Sequence, residues 1–516
     1  MTQSPAAMDT PREMVHPTRT PRRTAFVETY GCQMNIGDGQ LMQGILAADG
    51  FEIVARPEDA DVVLVNTCAI REHAEQRVLG RVGELNRLKL ENPDLVIGVT
   101  GCMAQRLGQR LLERAAYVDL VVGPDGYRRL PAALARLRPA LAGSGGAAHA
   151  DAASGNAASR RGLALPVLGS APSADAKRGR ILPAAVDDAV MSDGRLGLLE
   201  LSPEENYEGL AVRRGPGVSA WVTVQRGCDH RCTYCIVPYV RGAEKNRDPD
   251  HVLAEVRAVA AEGTTEVTLL GQTVNSYRHG HRDFADLLRA VARVDGIRRV
   301  RFTSPHPRDV SARLVAVMAE EPAVCRQLHL PVQAGHDRTL KRMLRRYSVA
   351  EYLEKVALVR EAMPDIALST DVIVAFPGET EEEFEATLDL MRQVRFDDAF
   401  LYRYSPRDGT PATRLPTEQF LPVAVAAERL ERLIALHRSI QRARNVAEVG
   451  RTVEVLVERK ARSAGDMLGR TEGYKAVAFP GDGRLVGQYV DVRLVSTTGA
   501  TFRGEHAARS ARGRVA

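Results

Sequence analysis

Short apolar runs at residues 24–29, 60–66 and 95–100 are each followed by a polar turn and then by helical periodicity, as over 72–89 and 104–115. Runs of this length that alternate with a 3.6-residue pattern are βα units, and βα units in series make a parallel sheet with helices on its faces. The expectation for 24–140 is an α/β domain built on a doubly wound parallel sheet. From about 141 the chain turns to Ala, Gly, Ser and Pro without either period, and a low-complexity linker is expected over 141–200. A second βα series starts at 219, with strands expected at 219–225, 266–270, 300–304, 327–331, 367–374 and 399–404. The helices expected between them are 249–261, 284–293, 310–320, 338–363 and 381–393. Six such units, in a domain spanning 214–446, suggest an open (β/α)6 version of the eight-unit barrel. After a basic helical connector (428–445), short β-rich runs at 452–457, 474–479 and 488–495 fit a small OB-like β-barrel over 447–510, ending in a basic tail.

Composition narrows the class without deciding it. A chain of 516 residues with 44% hydrophobic and 26% charged residues is ordinary for globular domains, and a net charge of +5 permits a nucleic-acid partner without requiring one. Seven cysteines, an odd number scattered over a long chain, argue against a secreted disulfide framework and for thiolates used as ligands. The first 24 residues have no apolar core of a signal peptide, and no apolar run approaches a bilayer span. A reducing cytoplasm is the expected compartment.

Cysteine placement carries the chemistry. Cys228, Cys232 and Cys235 form a Cys-x3-Cys-x2-Cys run just after the first strand of the second series. In parallel βα architectures the carboxyl end of the sheet is where ligands bind. Three close thiolates suit a 4Fe-4S cluster that leaves one iron open to a small molecule. Structural zinc would want a fourth protein ligand, and His230 lies inside the run where a tetrahedral wrap is awkward. Cys32, Cys68 and Cys102 recur at one point of three successive βα units, each between an expected strand and a helix. Strand ends of one parallel sheet share an edge, so these thiolates can converge on a second cluster; the alternative is three unrelated core cysteines. Cys325 has no such partners and reads as a packed core thiol.

Two cysteine trios on two βα domains, followed by a small barrel, resemble the methylthiotransferase family of radical S-adenosylmethionine enzymes, whose C-terminal barrel is the RNA-binding TRAM domain. The matching strings include Thr29-Tyr30-Gly31-Cys32-Gln33-Met34-Asn35, Cys235-Ile236-Val237-Pro238-Tyr239-Val240-Arg241-Gly242 and Thr303-Ser304-Pro305-His306-Pro307. Leu328-His329-Leu330-Pro331-Val332-Gln333, Phe376-Pro377-Gly378-Glu379-Thr380 and Tyr404-Ser405-Pro406-Arg407 extend the match. They are nearest the branch that acts on isopentenylated adenosine in tRNA. The resemblance implies two 4Fe-4S clusters and S-adenosylmethionine as cofactors. One molecule would donate a methyl group at the Cys32, Cys68 and Cys102 cluster, and another would be cleaved to a radical at the Cys228, Cys232 and Cys235 cluster. Implied partners are tRNA, an electron-donating reductase and a sulfur donor, with a monomeric chain and no membrane. The chain departs from the family pattern at Ile36-Gly37-Asp38-Gly39-Gln40, at Glu244-Lys245-Asn246-Arg247 and in the long linker.

Further cofactor contacts are expected at later strand ends. Gln272 sits where the superfamily carries a glutamate facing the methionine amine. Asn275, Gln333 and Asp371 are candidates that could equally be structural hydrogen-bonders. For RNA, Arg438 and Arg442 share a helix face, with Arg444 and Arg451 beside them; a solvated surface is the plain alternative. Tyr474 and Phe479 are the few aromatic stacking candidates of the barrel. Two rival functions stay open: a sibling methylthiotransferase acting on threonylcarbamoyl-adenosine or on a ribosomal-protein aspartate, and a non-catalytic iron–sulfur protein that binds RNA.

Overall fold

The computed structural model describes residues 23–69, 72–142, 189–190, 194–215 and 217–507. Most of the expected linker and the basic tail lie outside them. The N-terminal sheet runs, from edge to edge, Glu52–Ile53, Thr24–Tyr30, Val62–Thr67, Val96–Gly101, Leu120–Val122, Leu196–Leu198 and Ala189–Val190. All its neighbours are parallel except the last pair. Every residue of Val62–Thr67 and Val96–Gly101 is buried. Val62 and Leu64 pack on Leu41, Met42 and Leu134 on one face, and Val63 and Val65 pack on Val78, Val82 and Leu111 on the other. Helices on both faces explain why these strands read as unbroken apolar runs rather than alternating ones.

Two differences from the sequence expectation stand out in this domain. Leu196–Leu198, inside the range assigned to the linker, is a buried strand pairing with Leu120–Val122, itself unforeseen. Three-residue strands carry too few positions to show a period. The helix expected over 104–115 is broken at Gly108 (φ 52°) into Cys102–Leu107 and Gln109–Arg114.

The second domain opens its barrel in two three-stranded parallel sheets. The first holds Ser219–Thr223, Glu266–Leu270 and Arg299–Phe302; the second holds Gln327–His329, Ala367–Val374 and Asp398–Arg403. A parallel bridge from Val300 to Val324 joins them. The outer helices Pro249–Ala261, Phe284–Ala292, Ala312–Glu320, Val349–Ala362 and Glu381–Val394 bury one continuous apolar core against the strands. The helix expected over 338–363 is two, Asp337–Arg342 and Val349–Ala362. Leu344 and Arg346 between them take positive φ, and Ser348 with Glu351 forms a capping box that starts the second helix. Along Ala367–Val374, Ser369, Asp371 and Ile373 alternate with fully buried neighbours, so they face the open inside of the barrel.

The connector helix, Val423–Val446, leads to a closed five-stranded barrel of Thr452–Lys460, Asp466–Thr471, Ala476–Pro480, Thr501–His506 and Tyr489–Thr497. Asp466–Thr471 and Thr501–His506 were not expected. Each carries a glycine where strands cross closely: a Cβ on Gly469 would lie 2.3 Å from the Leu456 carbonyl oxygen. The barrel docks on the amino-terminal ends of the second domain's strands. Arg299 donates to the Arg470 and Glu454 carbonyls at 3.0 Å each, and Arg301 to those of Glu472 and Thr471 at 2.7 and 2.9 Å. The cysteine run lies at the opposite, carboxyl ends.

Candidate functional site

Cys32, Cys68 and Cys102 follow three strands that are neighbours in one sheet. The register pairs Tyr30 with Thr67 and Thr67 with Gly101, so the three cysteines leave the sheet along one edge. Two glycines allow the approach. Gly31 (φ 142°) would place a Cβ 2.5 Å from that of Cys68, and Gly101 (φ 92°) one 2.5 Å from the Thr67 carbonyl oxygen. Asn35 ties the loops together: its amide donates to Thr67 O at 3.1 Å and to Asn66 at 3.2 Å, while Cys32 Sγ donates to its oxygen at 3.3 Å. A hydrogen bond from Cys68, with the Arg241 charge nearby, outweighs burial and brings the Cys32 thiol down to about 6. That favours the thiolate, which is the form that binds metal.

Cys228, Cys232 and Cys235 sit in the loop after Ser219–Thr223. Gly227 (φ 70°) passes so close to the returning chain that a Cβ would lie 1.9 Å from Ala243 O. Cys228 Sγ is 3.2 Å from Thr273 Oγ1, and Arg345 Nη1 donates to Cys232 Sγ at 3.5 Å. Burial and the neighbouring Cys232 push the Cys235 thiol up to about 12. Crowded buried thiols of this kind are relieved by a positive centre. Among the described residues, only His230, His306 and Asp309 bring their ligand atoms within 4.8 Å of one another; neither cysteine trio closes that tightly. One ion needs such closure, whereas a cubane offers each thiolate its own iron. The donor sets therefore fit clusters better than single ions.

The helix Val237–Arg241, just beyond Cys235, packs against the first trio's loops. Ile236 and Val240 pack in one small buried cluster with Ala69 and Cys102. Arg241, 2% exposed in its side chain, donates through Nε to Cys102 Sγ at 3.1 Å and through Nη2 to Asp38 at 2.5 Å. A second buried clamp lies alongside: Asp125 takes Arg226 on one oxygen and Lys245 Nζ, at 2.6 Å, on the other. Arg226 also lies over the Tyr207 ring at 3.3 Å.

Residues 24–123 match the uncharacterized protein family UPF0004, 222–391 the Radical SAM superfamily and 446–506 the TRAM domain. The tRNA-2-methylthio-N(6)-dimethylallyladenosine synthase of Moorella thermoacetica is 42% identical over 490 residues, covering 94% of this chain and 98% of that protein. The synthase of the same name from Carboxydothermus hydrogenoformans is 40% identical over 489 residues, covering 94% and 98%. The chain belongs to the tRNA-2-methylthio-N(6)-dimethylallyladenosine synthase family. Among solved structures, the radical S-adenosylmethionine methyltransferase TsrM from Kitasatospora setae superposes with a TM-score of 0.52 at 14% identity, covering 77% of this chain and 78% of that one, which is a likeness of fold. Membership in this radical S-adenosylmethionine family implies a 4Fe-4S cluster and S-adenosylmethionine.

The other expected contacts fare unevenly. Gln272, next to Thr273 at the Cys228 edge, keeps a buried Oε1 with no partner, as a waiting acceptor would. Asn275 is spent on structure: it donates to His306 O at 2.9 Å and accepts from His306 N at 2.7 Å. Gln333 holds φ 72° and bonds through its backbone to Asp371 and Ile373. Asp371 lies in mid-strand rather than at a strand end, facing the inside, 3.5 Å from His329 Nε2. Arg438, Arg442 and Arg451 are exposed, whereas Arg444 is held by Asp397 at 2.9 Å. Phe479 is fully buried in the barrel core and cannot stack on a base; Tyr474 is 41% exposed between Arg470 and Arg301. Cys325 is buried beside Arg301, with its thiol pushed up to about 12 by desolvation.

Sequence reasoning passed over Asp38, Arg241, Thr273 and Arg345. Arg241 stood inside a quoted string, and a cation just past a cysteine run is the available signal. Asp38 stood in a string quoted only as a departure from the family pattern, and nothing there pointed to Arg241, 203 residues away.

Proposed function

We propose that the chain transfers a methylthio group to carbon 2 of N(6)-dimethylallyladenosine next to the anticodon of tRNA, using two S-adenosylmethionine molecules and two 4Fe-4S clusters. Cys32, Cys68 and Cys102 hold one cluster, and Cys228, Cys232 and Cys235 the other. The observation that supports the reading is the buried patch of Ala69, Cys102, Ile236 and Val240, which packs the segment just after Cys235 against Cys102 and the residue after Cys68 in a chain of this family. When bound, the clusters supply the electron that cleaves S-adenosylmethionine and the sulfur that is methylated. An aromatic C–H bond is beyond side-chain acid–base chemistry at neutral pH, so a radical cofactor suits the substrate.

The chain's own residues supply binding and aim. Gln272 offers its free acceptor to the methionine amine. Asp371 and its register partner Phe400 share the inner face of the barrel; Phe400 is 50% exposed, edge-on to His329, and offers a surface for a flipped-out base. Exposed Arg438, Arg442 and Arg451 supply phosphate contacts. A reductase, a sulfur donor, a monomeric chain and a cytoplasmic setting complete the reading; no helix among the described residues is long and apolar enough to cross a membrane.

The test is anaerobic reconstitution with S-adenosylmethionine, a reductant and an anticodon stem-loop carrying the isopentenyl group. Cys232→Ala should abolish both 5′-deoxyadenosine and methylthiolated nucleoside. Cys68→Ala should lose about half the iron, keep some deoxyadenosine and make no methylthio product. Deoxyadenosine from Cys232→Ala, or product only with a threonylcarbamoyl stem-loop, would overturn the assignment.

A further inference from the structure

Arg241 is a guanidinium of the radical domain whose bonds all go to the other domain. It is buried, and its Nε is spent on a sulfur, Cys102 Sγ at 3.1 Å, rather than on an oxygen. Its Nη2 is anchored by Asp38, six positions beyond Cys32 on the helix Gln33–Ala48, and Asp38 is itself only 1% exposed. Tyr127 Oη lies 3.5 Å from the same carboxylate oxygen. The remaining Nη1 is buried without a partner. An arginine cannot shed its proton, so a permanent positive charge is fixed against the N-terminal cysteines. Burial opposes that charge, and Asp38 together with the Cys102 thiol offsets the opposition. The Arg226–Asp125–Lys245 clamp already joins the two domains, so holding them together does not require a second buried cation.

We propose that Arg241 is a positioning residue through which the radical domain raises the reduction potential of the cluster on Cys32, Cys68 and Cys102, giving that cluster its working potential only while the domains are docked. This rests on the reading that the trio holds a cluster. Reduction adds negative charge to a cluster, and a hydrogen-bonded cation at a ligating thiolate stabilises the added charge. Asp38 acts in the opposite sense, since it orients the guanidinium but partly cancels its field. The two residues therefore have opposite signs, which a merely structural role would not produce.

The experiment is an EPR-monitored redox titration of the anaerobically reconstituted full chain, with iron content measured alongside. The reduction step missing from Cys68→Ala belongs to the N-terminal cluster. Arg241→Met should make that step at least tenfold less favourable, a fall of about 59 mV for one electron. Arg241→Lys keeps the charge without the planar fork and should fall less. Asp38→Asn should move the step upward. If Arg241→Met fails to take up iron at this trio, the Lys and Asn variants decide. Shifts in the same direction for Asp38→Asn and the Arg241 variants, or no shift in either, would overturn the proposal. If Cys68→Ala loses neither iron nor a reduction step, the trio holds no cluster, and the reading beneath the proposal fails instead.

Discussion

Asp125 offers the sharpest test of how the two cysteine domains are held. Its carboxylate and the Arg226 guanidinium have no exposed side-chain surface, and Lys245 has 6%. Asp125→Ala leaves two buried cations facing each other, with Glu205, already paired with Arg128, as the remaining counter-charge. Lys245, whose ammonium burial already holds below its ordinary range, can escape by losing its proton; Arg226 cannot. Breaking a buried pair by removing one partner costs about 3–5 kcal/mol, or roughly 2 to 3.5 powers of ten in the equilibrium. Removing the lysine as well should return part of that, about 1–2 kcal/mol of coupling. The reporter is built in. Trp221, the single tryptophan of the chain, lines the cleft against Asp38 and Leu41 of the first domain. Urea titration followed by its emission should show Asp125→Ala separating well before the wild type, Asp125→Asn in between, and Asp125→Ala with Lys245→Met later than Asp125→Ala alone. If Lys245→Met instead adds to the damage, the uncompensated-charge argument is wrong.

Three further outcomes follow from local geometry. Gly31→Ala must accept φ 142° and a Cβ 2.5 Å from that of Cys68, a strain of about 1–3 kcal/mol; it should lower iron content by the N-terminal share while deoxyadenosine production continues. Unchanged iron would show that the loop can open at no cost. Replacing Arg438 and Arg442 together should reduce the log–log salt slope of tRNA binding by about 1.4–1.8, whereas Arg444→Ala, whose side chain is bound to Asp397, should leave the slope unchanged; equal effects would remove the helix face from the interface. Burial raises the Glu383 carboxyl, but bonds from Arg342 and Thr339 outweigh it and hold the group below the carboxylate range. Its folded value lies under its unfolded one, so the stability it lends is complete above about pH 4.3 and is lost as pH falls through the folded value. Glu383→Gln should therefore flatten the acid limb of unfolding of the cluster-free chain, and an acid limb as steep as the wild type's would assign that loss to other carboxylates.

Local patterns were legible and long-range pairings were not. Glu266–Leu270, Ala367–Val374 and Pro249–Ala261 were readable to the residue, because each carries a full period between turn residues. Leu120–Val122 and Leu196–Leu198 are too short to show one, and the second follows a stretch whose composition reads as linker. Breaks inside helical patterns were missed for a related reason. Gly108 and the 344–346 turn interrupt runs whose apolar spacing continues across the gap.

The site divides along the same line. That Cys32, Cys68 and Cys102 each follow a strand, and that Cys228, Cys232 and Cys235 share the loop after another, was readable from βα alternation and is what the structure has. Which groups face them did not follow. Cys102 and Arg241 are 139 positions apart, and Arg226 and Asp125 are 101 apart, in different domains whose docking no periodicity records. The barrel shows the limit most plainly. Nothing in the sequence says where it docks. Arg299 and Arg301 fasten it to the amino ends of the strands, and the eight residues of Ala367–Val374 put roughly 25 Å between that end and the cysteine edge. Under the proposed function, an RNA held by the barrel would have to span that length to deliver a base to the inner face at Asp371 and Phe400. The exposed arginines of the connector helix are suited to that path, because Val423–Val446 runs beside the strands Ala367–Val374 and Asp398–Arg403 and carries Arg438 and Arg442 on its exposed side.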